Sequence, residues 1–453
     1  MRKAFAGAVL VFAAAACTFS REISVLPHTL LRVPEGGRVN SFNLEEQLAL
    51  GYIPEVIEFF LTSGGRAVEE TRAARVLGQA LLESGDFRGA AVRLERAYGQ
   101  DGRLAARAEA AWLLSQAHYW MNDFGGAARW ATQAASHGQG VPRGWIAFLA
   151  SAGEETAYGG AAVGTRLGMT VSYGNPELPR LAMKVNDKPA ELILDSGASL
   201  SLLTESAAQR LGIVPVPDAT AGAYGLHRVA LTMHFGWAPV VHLGGVTLTH
   251  VPFGILPDEA LTFEASQLSG FRFDGVLGVH LLKEFDWLLR YQRREIRGVR
   301  LDPKEPRGGK AQNLFFRRLK PMVRVSFNRE GWFLFLLDTG SEPTMITRPA
   351  LQRSRTRELE GSYPMTIEGI GKSRVSWAKM SDVTVGLDRY MVKFKDLVVK
   401  EESEGIEDGV LGSSFLENFE AELRFSSMTL KLERAVDRLL REAESGERTA
   451  SLP

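Results

Sequence analysis

Residues 192–199 read Leu-Ile-Leu-Asp-Ser-Gly-Ala-Ser, and residues 335–342 read Phe-Leu-Leu-Asp-Thr-Gly-Ser-Glu. In each stretch an apolar run, typical of a buried strand, ends in Asp-(Ser/Thr)-Gly. The chain therefore carries two aspartates, Asp195 and Asp338, in the same local setting. A motif that recurs in this way indicates that one structural unit is repeated along the chain.

A second motif follows each aspartate. Asp-Gly-Val-Leu-Gly lies at 274–278 and again at 408–412, which is 79 and 70 residues after the aspartate that precedes it. Before each aspartate, two apolar segments flank a short polar one, and this pattern predicts a β-hairpin that leads into the Asp motif. The repeat therefore predicts two β units of ordinary domain size, at 160–305 and 306–434.

Two facing Asp-(Ser/Thr)-Gly turns have a definite chemical consequence. Glycine permits a tight turn that brings the backbone close to a carboxylate. If the turns face each other, Asp195 and Asp338 lie close together and share one proton, because two neighbouring carboxylates cannot both ionise. The ionised carboxylate can then accept a proton from water while the protonated one polarises a peptide carbonyl. We expect the Ser196 and Thr339 hydroxyls to hydrogen-bond between the two turns and hold them in place.

Both halves resemble the retropepsin and pepsin aspartic peptidases, in which the same Asp motif is followed by a hydrophobic-hydrophobic-Gly segment. Retropepsins carry one copy and dimerise, whereas pepsins carry two copies in one chain. The resemblance implies a multidomain α + β protein in which two retropepsin-like all-β lobes form an intrachain pseudo-dimer. It implies that Asp195 and Asp338 are catalytic and that Gly278 and Gly412 pack beside the active-site loops. Those loops comprise Ser196, Gly197, Ala198, Thr339, Gly340 and Ser341.

The family covers its cleft with a glycine-tipped hairpin, or flap. The candidates in this chain are Tyr224 and Gly225 in the first half, and Gly369 and Gly371 in the second half. Both segments fit an ordinary hairpin turn equally well, so the sequence leaves the two interpretations open.

The two Asp motifs differ three residues after the aspartate, where Ser341 stands in one and Ala198 in the other. In the family, a hydroxyl at this position can hydrogen-bond the carboxylate, and such a bond favours the charged form. We therefore predict that the shared proton resides mainly on Asp195 and the charge mainly on Asp338.

Residues 40–155 have a different composition, rich in Ala, Leu, Glu and Arg at helical spacing. Asp-Phe-x-Gly-Ala-Ala occurs at 86–91 and at 123–128, where it is predicted to begin a helix each time. The spacing resembles tetratricopeptide-like (TPR-like) helical hairpins, although a generic helical bundle fits as well. We expect a helical domain on which a protein partner can dock, and a fragment that begins near Ala161 is expected to keep the β fold.

The first 17 residues are predicted to be a targeting segment. Two basic residues precede a small apolar run, and the chain's single cysteine, Cys17, follows it. The pattern resembles a bacterial lipoprotein signal; a secretory signal cleaved after small residues is the alternative. A lipid anchor on Cys17 would place the protein in the cell envelope facing the periplasm, with Thr18 favouring the outer membrane. Residues 18–39 are then a linker, and residues 435–453 a C-terminal helix and tail.

The remaining composition narrows the function. Lys and Arg total 53 and Asp and Glu total 53, so the net charge is zero and no basic stripe suggests a nucleic-acid partner. His227, His234, His242 and His250 are spaced seven or eight residues apart, which does not match a metal site, and no cofactor is expected. The sequence favours an aspartic endopeptidase acting on peptides or proteins. The alternative is a non-catalytic periplasmic lipoprotein scaffold that binds extended peptides.

Overall fold

The computed structural model describes residues 9–10, 23–27, 39–62, 68–172, 178–224, 230–261, 273–308, 312–354, 362–367, 373–400, 407–434 and 437. Helices fill the described residues from 44 to 150, and strands predominate from residue 166 onward. The chain therefore combines an α region with a β region, and both Asp motifs lie in the β region.

The α region contains seven helices among its described residues: α1 (Leu44–Ala49), α2 (Ile53–Thr62), α3 (Glu70–Ser84), α4 (Phe87–Gln100), α5 (Leu104–Trp120), α6 (Phe124–Ser136) and α7 (Arg143–Ala150). The repeated Asp-Phe-x-Gly-Ala-Ala motif begins α4 and α6. Asp86 accepts the Gly89 N–H at 2.9 Å, and Asp123 accepts the Gly126 N–H at 2.7 Å. These N-caps satisfy backbone donors that have no partner within the helix. Neighbouring helices from α3 to α7 pack against each other in chain order.

The first half of the β region, here called lobe 1, contains the strands β3 (Arg166–Ser172), β4 (Arg180–Val185), β5 (Lys188–Leu194), β6 (Leu202–Thr204), β7 (Pro215–Tyr224), β8 (Ala230–Leu243), β9 (Val246–Leu256), β10 (Gly275–Leu277), β11 (Phe285–Arg290) and β12 (Glu295–Arg300). It also contains the short helices α8 (Glu205–Leu211) and α9 (Val279–Leu282). Asp195 directly follows β5.

The second half, lobe 2, contains the strands β13 (Leu314–Arg317), β14 (Lys320–Phe327), β15 (Glu330–Leu337), β16 (Met345–Thr347), β17 (Ser362–Ile367), β18 (Ser373–Leu387), β19 (Tyr390–Lys400), β20 (Gly409–Leu411), β21 (Glu420–Arg424) and β22 (Thr429–Glu433). Its short helices are α10 (Arg348–Arg353) and α11 (Ser413–Leu416). Asp338 directly follows β15.

Strands with the same place in the two lobes make the same pairings. The strand before each aspartate, β5 or β15, pairs in parallel with β10 or β20 and antiparallel with β4 or β14. The strand after each Asp loop, β6 or β16, lies between β10 and β9 or between β20 and β19. The repeated motifs therefore mark a repeated strand framework.

One sheet crosses from lobe 1 into lobe 2. Strand β11 pairs antiparallel with β21, and Leu288 lies opposite Glu422. These two residues hold the same place in the matching segments 285–290 and 419–424. The next-to-last strands of the two lobes are thus joined by backbone hydrogen bonds at equivalent positions.

Two short strands come from the N-terminal segment. β1 (Val9–Leu10) pairs in parallel with Ala223–Tyr224 of β7, and β2 (Ile23–Pro27) pairs antiparallel with β19. The second of these lies in the segment that the sequence analysis treats as a linker, and it adds a strand to lobe 2.

The helices pack against both lobes. Phe148 of α7 stacks on Phe235 of lobe 1 with ring centroids 4.5 Å apart, and Trp120 of α5 lies 4.3 Å from Phe316 of lobe 2. A second apolar core joins α1–α3 to lobe 2 and includes Leu48, Ile53, Val76, Met322, Leu334, Leu336 and Val410.

Polar contacts reinforce these interfaces. Arg317 and Arg324 of lobe 2 form ion pairs with Glu83 and Glu55 of the helices, at 3.0 and 2.9 Å. These contacts and shared cores argue against the expectation that a fragment starting near Ala161 keeps its fold, because both lobes would lose apolar cover. Of the helices in the described ranges, none combines the length and the apolar character needed to cross a membrane.

Candidate active site

The two Asp motifs meet at the interface between the lobes, and both aspartates are buried. The side chain of Asp195 is 0% exposed and that of Asp338 is 4% exposed. The parallel neighbour strand fixes each backbone, because the Asp195 N–H donates to Leu277 O at 3.0 Å and the Asp338 N–H donates to Leu411 O at 3.1 Å. Each aspartate thus sits at the end of a strand held on both sides by the sheet.

Ser196 and Thr339 connect the two loops in a reciprocal arrangement. The Ser196 hydroxyl accepts the Thr339 N–H at 3.0 Å and donates to Leu337 O at 2.7 Å. The Thr339 hydroxyl accepts the Ser196 N–H at 3.0 Å and donates to Leu194 O at 2.8 Å. Four buried hydrogen bonds therefore hold the loops face to face, and each hydroxyl uses its one donor and one of its acceptor sites.

Each loop glycine faces the carboxyl group of the other lobe. A Cβ atom added to Gly197 would lie 2.6 Å from Asp338 Cγ, and one added to Gly340 would lie 2.5 Å from Asp195 Cγ. No side chain fits in this space, so glycine allows the close approach. The two carboxyl groups therefore lie close enough for each to affect the pKa of the other.

Burial and nearby charges affect the pKa values of the two carboxyl groups differently. Burial raises the pKa of Asp195 well above its usual range, and the Asp338 charge and the hydrogen bond to Asp338 raise it further. Burial also raises the pKa of Asp338, but the charge of Lys320, the hydrogen bond from Asp195 and the N–H groups of Gly340 and Ser341 hold it to about 6. The positive charge that acts on Asp338 has no counterpart among the groups that act on Asp195, and it favours the ionised form of Asp338.

The reason given for this asymmetry from the sequence was wrong. The Ser341 hydroxyl donates to Pro343 O at 3.1 Å and not to the Asp338 carboxylate. The carboxylate receives the Gly340 N–H at 3.0 Å instead, and Asp195 likewise receives the Ala198 N–H at 3.0 Å. The Ser341 side chain therefore bonds to the backbone of its own loop, at the Pro343 carbonyl, and not to the aspartate three residues before it.

Gly278 and Gly412 lie where the second motif passes each Asp loop. A Cβ atom on Gly278 would meet Leu200 C at 2.3 Å, and one on Gly412 would meet Pro343 O at 2.4 Å. Neither position has room for a side chain, so both glycines pack against the loop backbone.

Sequence reasoning missed two residues that bind these glycines. The Ser201 hydroxyl accepts the Gly278 N–H at 3.1 Å, and the Thr344 hydroxyl accepts the Gly412 N–H at 3.2 Å. The signal for them was a hydroxyl residue six positions after each aspartate. Lys320 was missed as well; its signal was a lysine at the first position of a strand that continues Pro-Met-Val.

The flap candidates lie at the ends of two corresponding hairpins. Strands β7 and β8 pair as far as Tyr224 and Ala230, and β17 and β18 pair as far as Ile367 and Ser373. Tyr224 is the last described residue of β7, whereas the candidates Gly225, Gly369 and Gly371 lie outside the described residues. The flap interpretation therefore stays a prediction.

Other predicted positions fall away from the Asp loops or outside the described ranges. Cys17 and His227 are outside them. His242 contacts Asp187 at 3.0 Å, and His250 contacts Glu155 at 3.0 Å. Within the residues that the structure describes, no group of three or more His, Cys, Asp or Glu side chains is arranged to hold a metal ion.

Two comparisons with known proteins give a match. The family model described as "Aspartyl protease" matches residues 181–281, which run from β4 through Asp195 and Gly278 into α9. The chain is also similar to a solved structure, a retropepsin-like aspartic protease from Rickettsia conorii, at 16% identity and a TM-score of 0.23. That similarity covers 30% of this chain and 91% of the Rickettsia chain. No curated protein matches the sequence.

Proposed function

We propose that this chain is an aspartic endopeptidase that hydrolyses peptide bonds with a water molecule activated between Asp195 and Asp338. One observation carries the proposal: two buried carboxyl groups, one from each lobe, face each other across the lobe interface, each against the loop glycine of the opposite lobe. A general base has to be ionised near neutral pH and a general acid has to be protonated, and this pair supplies one of each.

The first step adds water to the peptide carbonyl. Asp338, the carboxylate, takes a proton from water as the water oxygen bonds to the carbonyl carbon. Asp195, the carboxylic acid, gives its proton to the carbonyl oxygen, so the intermediate is a neutral geminal diol.

The second step breaks the C–N bond. The leaving nitrogen takes the proton from Asp338, and one hydroxyl of the diol returns its proton to Asp195 as the carboxylic acid product forms. Both aspartates then have their starting protonation states, so the site is ready for another substrate.

We also propose that the two lobes form an intrachain pseudo-dimer with one site per chain. The matching strand pairings of the lobes and the opposition of Leu288 and Glu422 support this arrangement. A statine-type inhibitor, which resembles the diol intermediate, is expected to bind one per chain; one per two chains would contradict the intrachain site.

The roles of the N-terminal regions are proposals that rest on sequence pattern. We propose that Cys17 carries a lipid anchor that holds the protein at the periplasmic face of the cell envelope. We propose that the helices are TPR-like and recruit a protein partner, supported by the repeated N-caps of Asp86 and Asp123. Release of the Cys17→Ser protein into the soluble fraction tests the anchor, and unchanged membrane fractionation would overturn it.

Peptide cleavage tests the main proposal. Asp195→Asn and Asp338→Asn are each expected to abolish cleavage of a fluorogenic peptide library, because each half of the proton exchange needs its partner. Asp218→Asn, at an exposed position of β7, is the matched control and is expected to keep full activity. Wild-type protein that binds extended peptides without cleaving any would favour the non-catalytic scaffold instead.

A further inference from the structure

A buried lysine lies in lobe 2 on β14, the strand that pairs with the strand leading to Asp338. Lys320 begins β14, directly after the turn from β13, and its side chain is 0% exposed. The positive charge of Lys320 lowers the pKa of Asp338 and so opposes the effect of burial. Burying an ammonium group is costly, so a fully buried lysine whose charge acts on Asp338 calls for an explanation.

The strand register shows why Lys320 reaches this aspartate. In the β14–β15 ladder, Met322 lies opposite Leu336 and Val323 lies opposite Phe335. Extending this register by two residues places Lys320 opposite Asp338. The lysine therefore occupies the cross-strand position of the aspartate itself.

The same position in lobe 1 holds a leucine. Leu181 lies opposite Leu192 and Arg180 opposite Ile193, so the extended register places Leu178 opposite Asp195. Leu178 is buried like Lys320, and each of the two is followed by a proline, Pro179 or Pro321. The two lobes thus offer matched sites that differ in one charge.

Three other charged groups on the elements around β14 have partners elsewhere. Arg317 of β13 and Arg324 of β14 pair with the helices, through Glu83 and Glu55. Strand β15 has no ionisable side chain between Gly331 and Leu337. At the far end of β14, the neighbouring β18 contributes Asp382, which pairs with Lys393 at 2.7 Å.

We propose that Lys320 is a positioning residue for the proton. Its charge lies opposite Asp338, whereas the uncharged Leu178 holds the corresponding position opposite Asp195. This difference makes Asp338 the base and Asp195 the acid. The inference rests on the proposed function and adds the residue that assigns the two roles. A positive charge in a poorly solvated site stabilises a nearby carboxylate, whereas a leucine adds no charge to offset the burial of its aspartate.

The test is the pH dependence of kcat/KM in variants of Lys320. Lys320→Met keeps the length of the side chain and removes the charge. Because the base has to be ionised, a higher pKa for Asp338 moves the acidic limb of the profile to higher pH. We expect a move of about one pH unit, which is about a tenfold loss of kcat/KM on the acidic side.

Two variants separate charge from packing. Lys320→Arg keeps the charge and is expected to keep the limb near its wild-type position. Leu178→Met makes a comparable neutral change at the matched site of lobe 1 and is expected not to move it. Should Lys320→Met fail to fold, Lys320→Gln removes the same charge with a polar group and carries the same expectation.

A second measurement does not depend on cleavage. The carboxyl carbons of Asp195 and Asp338, assigned in ¹³C-aspartate-labelled protein by their loss in the Asn variants, report protonation directly. In Lys320→Met we expect the Asp338 signal to titrate at higher pH than in the wild type. If the wild type cleaves no peptide, this titration still tests the role of Lys320. If it cleaves and both profile and titration of Lys320→Met superimpose on the wild type, the inference about Lys320 is overturned and the endopeptidase stands.

Discussion

Lobe 1 and lobe 2 share a backbone framework and differ in the side chains that act on it. Their strands pair in the same order, and the reciprocal bonds of Ser196 and Thr339 have the same geometry from either side. Opposite the aspartates, however, Leu178 faces one and Lys320 faces the other. The repeated hydrogen bonds hold the two Asp loops face to face, and in the proposed mechanism the unmatched charge of Lys320 assigns the chemical roles.

The lobes also differ in the helices that cover them. Helices α1–α3 lie on lobe 2, where they share an apolar core with β13–β15. Helix α7 lies on lobe 1, and its Gly144 approaches β7 so closely that a Cβ atom there would be 1.7 Å from Thr220 O. Each lobe therefore depends on a different part of the α region.

Removing the helices is expected to have the largest effect. A fragment that begins near Ala161 exposes the cores of both lobes and is expected to lose cooperative unfolding and cleavage together. A control that begins at Arg21 keeps β2 and α1–α7 and is expected to unfold cooperatively. Circular dichroism during thermal unfolding makes the comparison; a cooperative transition in the short fragment would show that the lobes fold alone.

A shorter deletion sharpens this contrast between the lobes. A fragment that begins at Asp86 lacks α1–α3, so amide hydrogen exchange is expected to rise more in β13–β15 than in β4–β6. Equal exchange in the two sets of strands would show that the helices stabilise the molecule as one unit rather than lobe by lobe.

Alanine at the loop glycines is expected to have the next largest effect. In Gly197→Ala and Gly340→Ala, the new methyl group meets the carboxyl group of the opposite lobe and pushes the dyad apart. A displacement on the order of 1 Å at a reacting group costs about 100-fold in rate, and we expect a loss of this order in kcat for both variants.

The control for these variants is Gly168→Ala, because no atom lies within 4 Å of a Cβ added there. It is expected to keep wild-type kcat. A large loss in one loop variant with none in the other would show that the lobes approach the dyad unequally, contrary to the shared framework.

Much of the site was predictable because its determinants are local. Asp195, Ser196 and Gly197 lie on consecutive residues, as do Asp338, Thr339 and Gly340, so a repeated tripeptide marks the loops. The contacts of Ser201 and Thr344 are nearly as local, and counting six residues from each aspartate finds them.

The correspondence between Lys320 and Leu178 could not be read from the sequence, because it depends on the register of each hairpin. Leu178 precedes its aspartate by 17 residues and Lys320 by 18, because the β14–β15 hairpin has a register shift at Ser326 and Phe327. A count along the sequence therefore misses the match that the strands make. The packing of α1–α3 on lobe 2 was also out of reach, since helical periodicity identifies an apolar face but not the surface that covers it.

A symmetric loss of stability is expected when either connecting hydroxyl is removed. Ser196→Ala and Thr339→Val each leave a buried N–H and a buried C=O without a partner, at a cost of about 2–4 kcal/mol in the free energy of unfolding. Chemical denaturation of the two variants measures the values. If one variant loses more than twice as much unfolding free energy as the other, the two sets of hydrogen bonds contribute unequally to stability although their distances are alike.

The smallest effect is expected at the two positions where the Asp loops differ in sequence. Ser341 is three residues after Asp338, yet its hydroxyl donates to Pro343 O, so Ser341→Ala removes no hydrogen bond from the carboxylate. The pH profile of kcat/KM is therefore expected to superimpose on the wild type, with a loss of about 1 kcal/mol in stability because the Pro343 carbonyl loses a donor. Ala198→Ser is expected to leave the profile unchanged as well, since Asp195 already accepts the Ala198 N–H.

Measuring these variants together with Lys320→Met shows whether the difference between the two aspartates comes from the Asp loop or from the strand opposite it. An acidic limb that moves in Ser341→Ala by as much as in Lys320→Met would return the asymmetry to the loop hydroxyl, and the contrast between Leu178 and Lys320 would then explain little of the difference between the lobes.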